Sequence, residues 1–133
     1  MEIGKRIVQA IQAAAQMGVA FAFQIFTDGG IYSDDATRNW RGDDNDKSLT
    51  IFGVYDPAGP REMVSTQIGR YTAGQGADRN HFLGTDPTLV ASAVFLNYLA
   101  VCGRRSQFGN LINSTANFNP TVLNSLLLFK DKA

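Results

Sequence analysis

The sequence is poor in the residues that carry most protein chemistry, since its 133 residues include one cysteine, one histidine and one tryptophan. A single cysteine excludes an internal disulfide and any zinc site built from several cysteines. Net charge is also absent, because 12 Lys and Arg residues balance 12 Asp and Glu residues. Without a basic excess the chain gives no strong signal for binding nucleic acid. We also expect no metal and no cofactor.

Glutamate is scarce as well, because ten of the 12 acidic residues are Asp. Short Asp side chains hydrogen-bond nearby backbone N–H groups, so they favour turns and caps over helix interiors. Residues 28–47 hold six Asp against three basic residues, a net charge of −3, whereas residues 97–133 hold four basic residues against one Asp, a net charge of +3. We expect these opposite charges to meet within the fold or between neighbouring copies.

The length is that of one domain, and we predict a single loop-rich domain over residues 1–133. The predicted class is α+β. An acidic loop covers residues 28–48, and a glycine-rich loop covers residues 72–84. The other predicted elements are an N-terminal helix, a small antiparallel hairpin over about 49–71, and two C-terminal helices over about 87–102 and 120–131.

The first 27 residues predict a helix, because Ile3, Ile7, Ile11 and Ala15 recur at four-residue spacing. Residues 19–26 are so nearly continuously apolar that a buried strand is the alternative.

This N-terminal segment has two further interpretations. Residues 7–26 could anchor the chain to a membrane surface, although three Gln residues make them a poor membrane span. Ala20-Phe21-Ala22 has the form of a signal-peptide cleavage site, so secretion is not excluded. A core or subunit-interface helix is the favoured interpretation.

The middle of the chain predicts a hairpin. Residues 49–55 are typical of a strand, and Asp56-Pro57-Ala58-Gly59 is typical of the turn that closes it. Val64, Thr66 and Ile68 alternate as a partner strand would, but part of the 61–71 segment also fits a helix face. We favour the strand.

Both C-terminal helices carry start signals. Asp86 and Asn119 are N-cap residues, and each is followed by a proline at the first helical position. Gly103 predicts the end of the first of these helices. The apolar positions along one side of this helix include a single polar residue, Asn97.

One loop could bind an anion. Its Gly74-Gln75-Gly76 sequence follows Arg70 and precedes Arg79 and His81. Glycines let backbone N–H groups turn toward an anion, and Arg supplies a charged donor. This loop carries the alternative function of a small ligand-binding protein or enzyme. No Gly-Lys-Ser or Gly-Lys-Thr sequence occurs, so a P-loop is excluded. Asp44, Asp46 and Ser48 have the spacing of calcium ligands but lack the Gly and Glu of an EF-hand loop. We assign no catalytic residue.

The apolar segments at both ends and the segregated charges favour a self-associating structural protein over an enzyme. The composition suits a small virion or filament component, such as a coat, cement or tail protein, located in the cytoplasm or the virion. The expected partner is a second copy, with other structural proteins as alternatives. A membrane-associated accessory protein is the third hypothesis. The residues expected at subunit contacts are Ile3, Ile7, Ile11, Phe21, Phe23, Phe26, Arg104, Arg105, Leu127 and Phe129.

Overall fold

The computed structural model describes residues 2–26, 30–33, 40–44, 49–70, 72, 78–83, 87–112 and 119–132, with the backbone alone for 30–33 and 40–44. The fold is α+β, with an N-terminal helix, an antiparallel strand pair and C-terminal helices, as predicted. Its elements in chain order are α1 (Glu2–Met17), β1 (Phe21–Phe26), β2 (Gly30–Ser33), β3 (Trp40–Asp44), β4 (Thr50–Tyr55), α2 (Pro87–Val101), a 3₁₀ turn (Arg105–Gln107), α3 (Phe108–Leu111) and α4 (Pro120–Ser125).

Helix α1 ends at a glycine in the left-handed conformation. Gly18 has φ +63°, its N–H donates to the Ala15 carbonyl at 3.2 Å, and the Val19 N–H donates to the Ala14 carbonyl at 3.0 Å. This pair of hydrogen bonds satisfies carbonyls that the helix end leaves open. The prediction of one helix over the first 27 residues is therefore wrong, and the strand alternative for residues 19–26 is confirmed by β1.

Strands β1 and β4 pair antiparallel, from Phe21 opposite Tyr55 to Phe26 opposite Thr50. The strand predicted over residues 49–55 is thus confirmed, but its partner is β1 rather than residues 61–71. Within 61–71, the side chains of Ser65 and Gln67 bond the local backbone, and Met63 pairs with Phe129. These bonds use the backbone groups that a hairpin strand would need.

The acidic segment 28–48 is not a loop throughout. β2 and β3 pair antiparallel inside it, with Gly30 opposite Asp44 and Ser33 opposite Trp40. Residues 45–48, which complete the calcium-like spacing, lie outside the described residues.

Helix α2 forms the centre of the core. It ends at Val101, close to the predicted end, and Gly103 follows in the left-handed conformation with φ +69°. The Arg104 N–H donates to the Leu99 carbonyl at 2.8 Å. The predicted N-cap Asp86 lies outside the described residues. Buried apolar side chains of α2 pack against apolar side chains from residues that precede the helix and from residues that follow it. The cluster consists of Leu83, Ala93, Leu96, Leu99, Ala100, Phe108, Leu126 and Leu127.

The last predicted helix is half as long as expected. Asn119 caps α4 by accepting a hydrogen bond from the Val122 N–H at 2.9 Å, as predicted, but the helix ends at Ser125. Leu126 closes the helix with φ −90° and ψ −1°, and its N–H still donates to the Leu123 carbonyl at 3.2 Å. From there the chain continues as a non-helical segment over residues 127–132, called the extended segment, whose backbone groups bond elsewhere in the fold. The Val64 N–H donates to the Leu128 carbonyl at 2.8 Å, and the Lys130 N–H donates to the Glu62 carbonyl at 2.9 Å.

A buried amide joins this extended segment to α2. The Asn97 side-chain nitrogen donates to the carbonyls of Ala93 at 2.8 Å and Leu126 at 2.7 Å. Its oxygen accepts from the N–H of Leu128 at 2.6 Å and of Phe129 at 3.3 Å. A carboxamide has two donor hydrogens and two acceptor lone pairs, so every one of them is used here. The polar exception in the α2 stripe therefore positions the C-terminal segment.

Candidate functional site

Arg70 of the predicted anion loop is engaged within the chain. Its Nε lies 2.7 Å from Oδ2 of Asp78, whose carboxylate is largely shielded from solvent. Two hydrogen bonds lower the pKa of Asp78. The larger effect comes from Arg70, and the smaller comes from the Asn80 N–H, which donates to Asp78 Oδ1 at 3.0 Å. The Asp78 N–H also donates to the Arg70 carbonyl at 2.9 Å. This double link between residues 70 and 78 holds the two ends of the loop together.

His81 is likewise used in local structure. Its Nδ1 accepts from the Leu83 N–H at 3.2 Å, and its ring centroid lies 4.5 Å from that of Phe82. A neutral ring that accepts at Nδ1 carries its proton at Nε2. Arg79 is exposed and makes contacts of its own. Residues 73–77, which include the two glycines, lie outside the described residues.

The structure brings together no catalytic or metal-binding set among the residues it describes. Cys102 is an exposed free thiol in the turn after α2. No group of three or more His, Cys, Asp or Glu side chains that could hold a metal ion occurs in the described part of the chain. In that same part, no helix is both long enough and apolar enough to cross a bilayer.

The expected contact residues of α1 are only partly covered by the rest of the chain. Ala14 is the buried residue of this 16-residue helix, and Ile7 and Ile11 are half-buried. Ile3 is 60% exposed and Met17 is 73% exposed. The helix thus presents large apolar side chains to solvent at both of its ends, beyond a partly covered centre.

The strand pair also exposes apolar surface. Phe21 and Phe23 are half-buried, with each of the ring pairs Phe21–Phe23 and Phe21–Tyr55 at 6.1 Å between centroids. Phe26 is 70% exposed at the end of β1, and Ile51 is 48% exposed on β4. Helix α1 and the β1–β4 pair therefore both expose large apolar side chains.

The basic and C-terminal contact candidates separate into three groups. Arg104 is exposed, whereas Arg105 donates to Asp131 Oδ2 at 2.9 Å and to Asn124 Oδ1 at 2.5 Å. Leu127 and Phe129 are buried inside the chain. The prediction that these two residues lie at a subunit contact is wrong, because the C-terminal segment places their side chains in the core of the same chain.

Several exposed apolar residues were not among the sequence candidates. Val8 and Met17 lie at opposite edges of the apolar stripe formed by Ile3, Ile7 and Ile11, and a full helical projection would have included them. Ile51 had no comparable signal, since alternation along a strand does not say which face is covered. Among the residues whose side chains the structure describes, the large apolar ones that are exposed are Ile3, Val8, Met17, Val19, Phe26, Leu49, Ile51, Met63, Val64, Phe82, Tyr98 and Leu111.

The chain matches no protein-family model and has no significant similarity to a curated protein or to a solved structure.

Proposed function

We propose that the protein is a self-associating structural protein, and that its composition suits a small virion or filament component such as a coat, cement or tail protein. The observation that carries the proposal is the apolar exposure of α1 and of the β1–β4 pair, where Ile3, Met17 and Phe26 are each at least 60% exposed. Large apolar side chains left exposed on two elements of a small protein are candidates for contact with other proteins. Association would remove this surface from water.

The described ion pairs are Glu2–Arg6, Asp56–Arg61, Glu62–Lys130, Arg70–Asp78 and Arg105–Asp131. The side chains of the charged segment 28–47 lie outside the described part of the chain, so its predicted role between copies stays a prediction.

The alternative of a ligand-binding loop gains no support, because Arg70 and His81 are already bonded within the chain. We retain it as the function to test if self-association is not found.

The proposal is tested by light scattering after size exclusion over a wide range of protein concentration, at low and at high ionic strength. We expect a mass above that of one chain at both ionic strengths, because salt screens charge pairs but does not weaken apolar contacts. Negative-stain microscopy of the same fractions would show whether the assembly is closed or filamentous. A monomer at every concentration would contradict the proposal.

A further inference from the structure

His81 joins a surface loop to the core through one hydrogen bond. Its Nδ1 accepts from the backbone N–H of Leu83 at 3.2 Å. Leu83 is 8% exposed and belongs to the buried core cluster, whereas Phe82, which separates the two residues in sequence, is exposed. The bond therefore lies where the chain passes from residues 78–82, here called the His81 loop, into the core.

This hydrogen bond exists in only one protonation state of the ring. A neutral imidazole with its proton on Nε2 has a lone pair on Nδ1, but a protonated imidazole carries hydrogens on both nitrogens and accepts at neither. A proton on Nδ1 of His81 would therefore face the N–H of Leu83, and two donors would replace one hydrogen bond. Imidazole is the side-chain group whose ordinary titration falls between about pH 5 and pH 8.

An aspartate next to the ring responds to acid in a different range. Asp78 interacts electrostatically with His81, and the His81 N–H donates to the Asp78 carbonyl at 3.0 Å. The negative charge of Asp78 attracts a protonated ring. Because the hydrogen bond from Arg70 lowers the pKa of Asp78, this carboxylate stays charged throughout the range in which an imidazole titrates. The link between Arg70 and Asp78 thus persists in mild acid while the bond to Leu83 changes.

The elements that pack around Leu83 bring no further charge to this position. Its side chain belongs to the cluster built from α2, α3 and the residues after α4. Helices α2, α3 and α4 contain no Asp, Glu, His, Lys or Arg residue. Gly69 also borders Leu83, because a Cβ added there would lie 3.6 Å from Leu83 Cδ1. Among the described residues, the charged neighbours of His81 are therefore Asp78 and the exposed Arg79 of its own loop, with Arg70 paired to Asp78.

We infer that His81 is a pH-sensitive link that holds its loop to the core when the ring is neutral and releases it when the ring is protonated. Near neutral pH the ring satisfies the N–H of Leu83. In mild acid that N–H loses its acceptor, and the end of the His81 loop opens more often while the apolar core cluster stays packed. This device is independent of the proposed self-association.

Amide hydrogen exchange of the full chain, measured by NMR at about pH 7.5 and about pH 5.5, tests the link. The quantity compared is the protection factor, which removes the pH dependence of the chemical exchange itself. We expect the protection of the Leu83 amide to be roughly tenfold lower at the acidic pH, which corresponds to the loss of one hydrogen bond. The Arg104 amide, which donates to the Leu99 carbonyl at 2.8 Å, is the reference and should keep its protection.

Two substitutions separate the acceptor from its titration. In His81→Asn, the side-chain oxygen can accept from the N–H two residues further on, as Asp78 Oδ1 does from the Asn80 N–H at 3.0 Å. An amide takes up no proton in this range, so the Leu83 protection of this variant should differ by less than about twofold between the two pH values. His81→Ala has no acceptor and should show low Leu83 protection at both. Circular dichroism verifies that both variants keep the fold.

Three results would overturn the inference. The first is equal Leu83 protection at the two pH values in the natural chain. The second is a fall in His81→Asn as large as in the natural chain, since the titrating group would then lie elsewhere. The third is a matching fall at Arg104, which would show that acid lowers the stability of the whole chain instead of opening one loop.

Discussion

The carboxamide oxygen of Asn97 accepts a hydrogen bond from the backbone N–H of Leu128 at 2.6 Å, across 31 residues of sequence. The same side chain donates to the Leu126 carbonyl at 2.7 Å, so one amide satisfies a donor of the extended segment and an acceptor immediately before it. With Asn97 only 1% exposed, water cannot replace these bonds if the side chain is removed.

Asn97→Ala should therefore lower the free energy of unfolding by at least about 3 kcal/mol, since it leaves several buried polar groups without partners. Urea unfolding followed by circular dichroism measures the change. Asn110→Ala is the control, because Asn110 is exposed on α3 and should change stability by less than about 0.5 kcal/mol. A loss below about 1 kcal/mol at Asn97 would show that the segment is held by its apolar side chains alone.

The Phe23 ring occupies the space beside Gly53, where a Cβ on the opposite strand would overlap its atoms. Gly53→Ala should force the ring to move and destabilise the protein by about 1–3 kcal/mol. Gly109→Ala is the matched control, because a Cβ there meets nothing within 4 Å. A double-mutant cycle with Phe23→Leu should recover part of the loss, and strict additivity of the two changes would argue against this contact.

Arg105 and its neighbour Arg104 should behave differently although both are basic and adjacent. Arg105→Gln removes the bonds to Asp131 and Asn124 and should lower stability by about 1 kcal/mol or less, because the pair is partly exposed. Arg104→Gln should leave stability unchanged. Thermal unfolding of the two variants makes the comparison. Equal losses would show that the in-chain bonds of Arg105 contribute nothing measurable.

Two aspartates should make the fold sensitive to acid. The hydrogen bond from the Ala58 N–H lowers the pKa of Asp56, and Arg61 adds a smaller effect in the same direction. Arg70 and the Asn80 N–H lower the pKa of Asp78. A carboxyl group with a lower pKa in the folded state adds stability above its unfolded pKa of about 3.9, and this contribution disappears as the pH falls through the folded value. The unfolding free energy should therefore decrease as the pH is lowered below about 4.

The variant Asp56→Asn with Asp78→Asn keeps the amide acceptors but loses both charges. It should be less stable than the natural chain at neutral pH and should show a shallower loss in acid. Urea midpoints measured in steps from neutral to strongly acidic pH give both slopes. Identical slopes would mean that other carboxyl groups cause the acid sensitivity.

Local signals in the sequence predicted one helix start and one helix end correctly, because each of these depends on a few neighbouring residues. Asn119 with Pro120 marks the start of α4, and Gly103 marks the end of α2. Gly18 gave the same kind of signal for α1, and the longer helix prediction passed over it. β1 then pairs with β4 across more than twenty residues, a relationship that periodicity within either segment does not contain.

The extended segment shows why the predicted C-terminal helix failed. Residues 126–129 are apolar and contiguous, which fits a buried helix or a buried strand equally well. Partners distant in sequence, Asn97 and the backbone of Glu62 and Val64, take their hydrogen bonds instead. The prediction of Leu127 and Phe129 as contact residues failed for a related reason. An apolar run near a chain end does not indicate whether it packs into the core of its own chain or against a neighbouring copy.

The position of Phe129 has a consequence for the order of folding. Its backbone bonds Asn97 of α2, 32 residues earlier, while its ring packs edge-on against Phe52 of β4, 77 residues earlier, with centroids 5.9 Å apart. Closing the longer loop costs about 0.8 kcal/mol more in chain entropy. The contacts around α2 therefore form at lower entropic cost, and the β1–β4 pair would join an already structured core. In kinetic terms, substitutions at Asn97 should slow folding, whereas those at Phe52 should mainly speed unfolding.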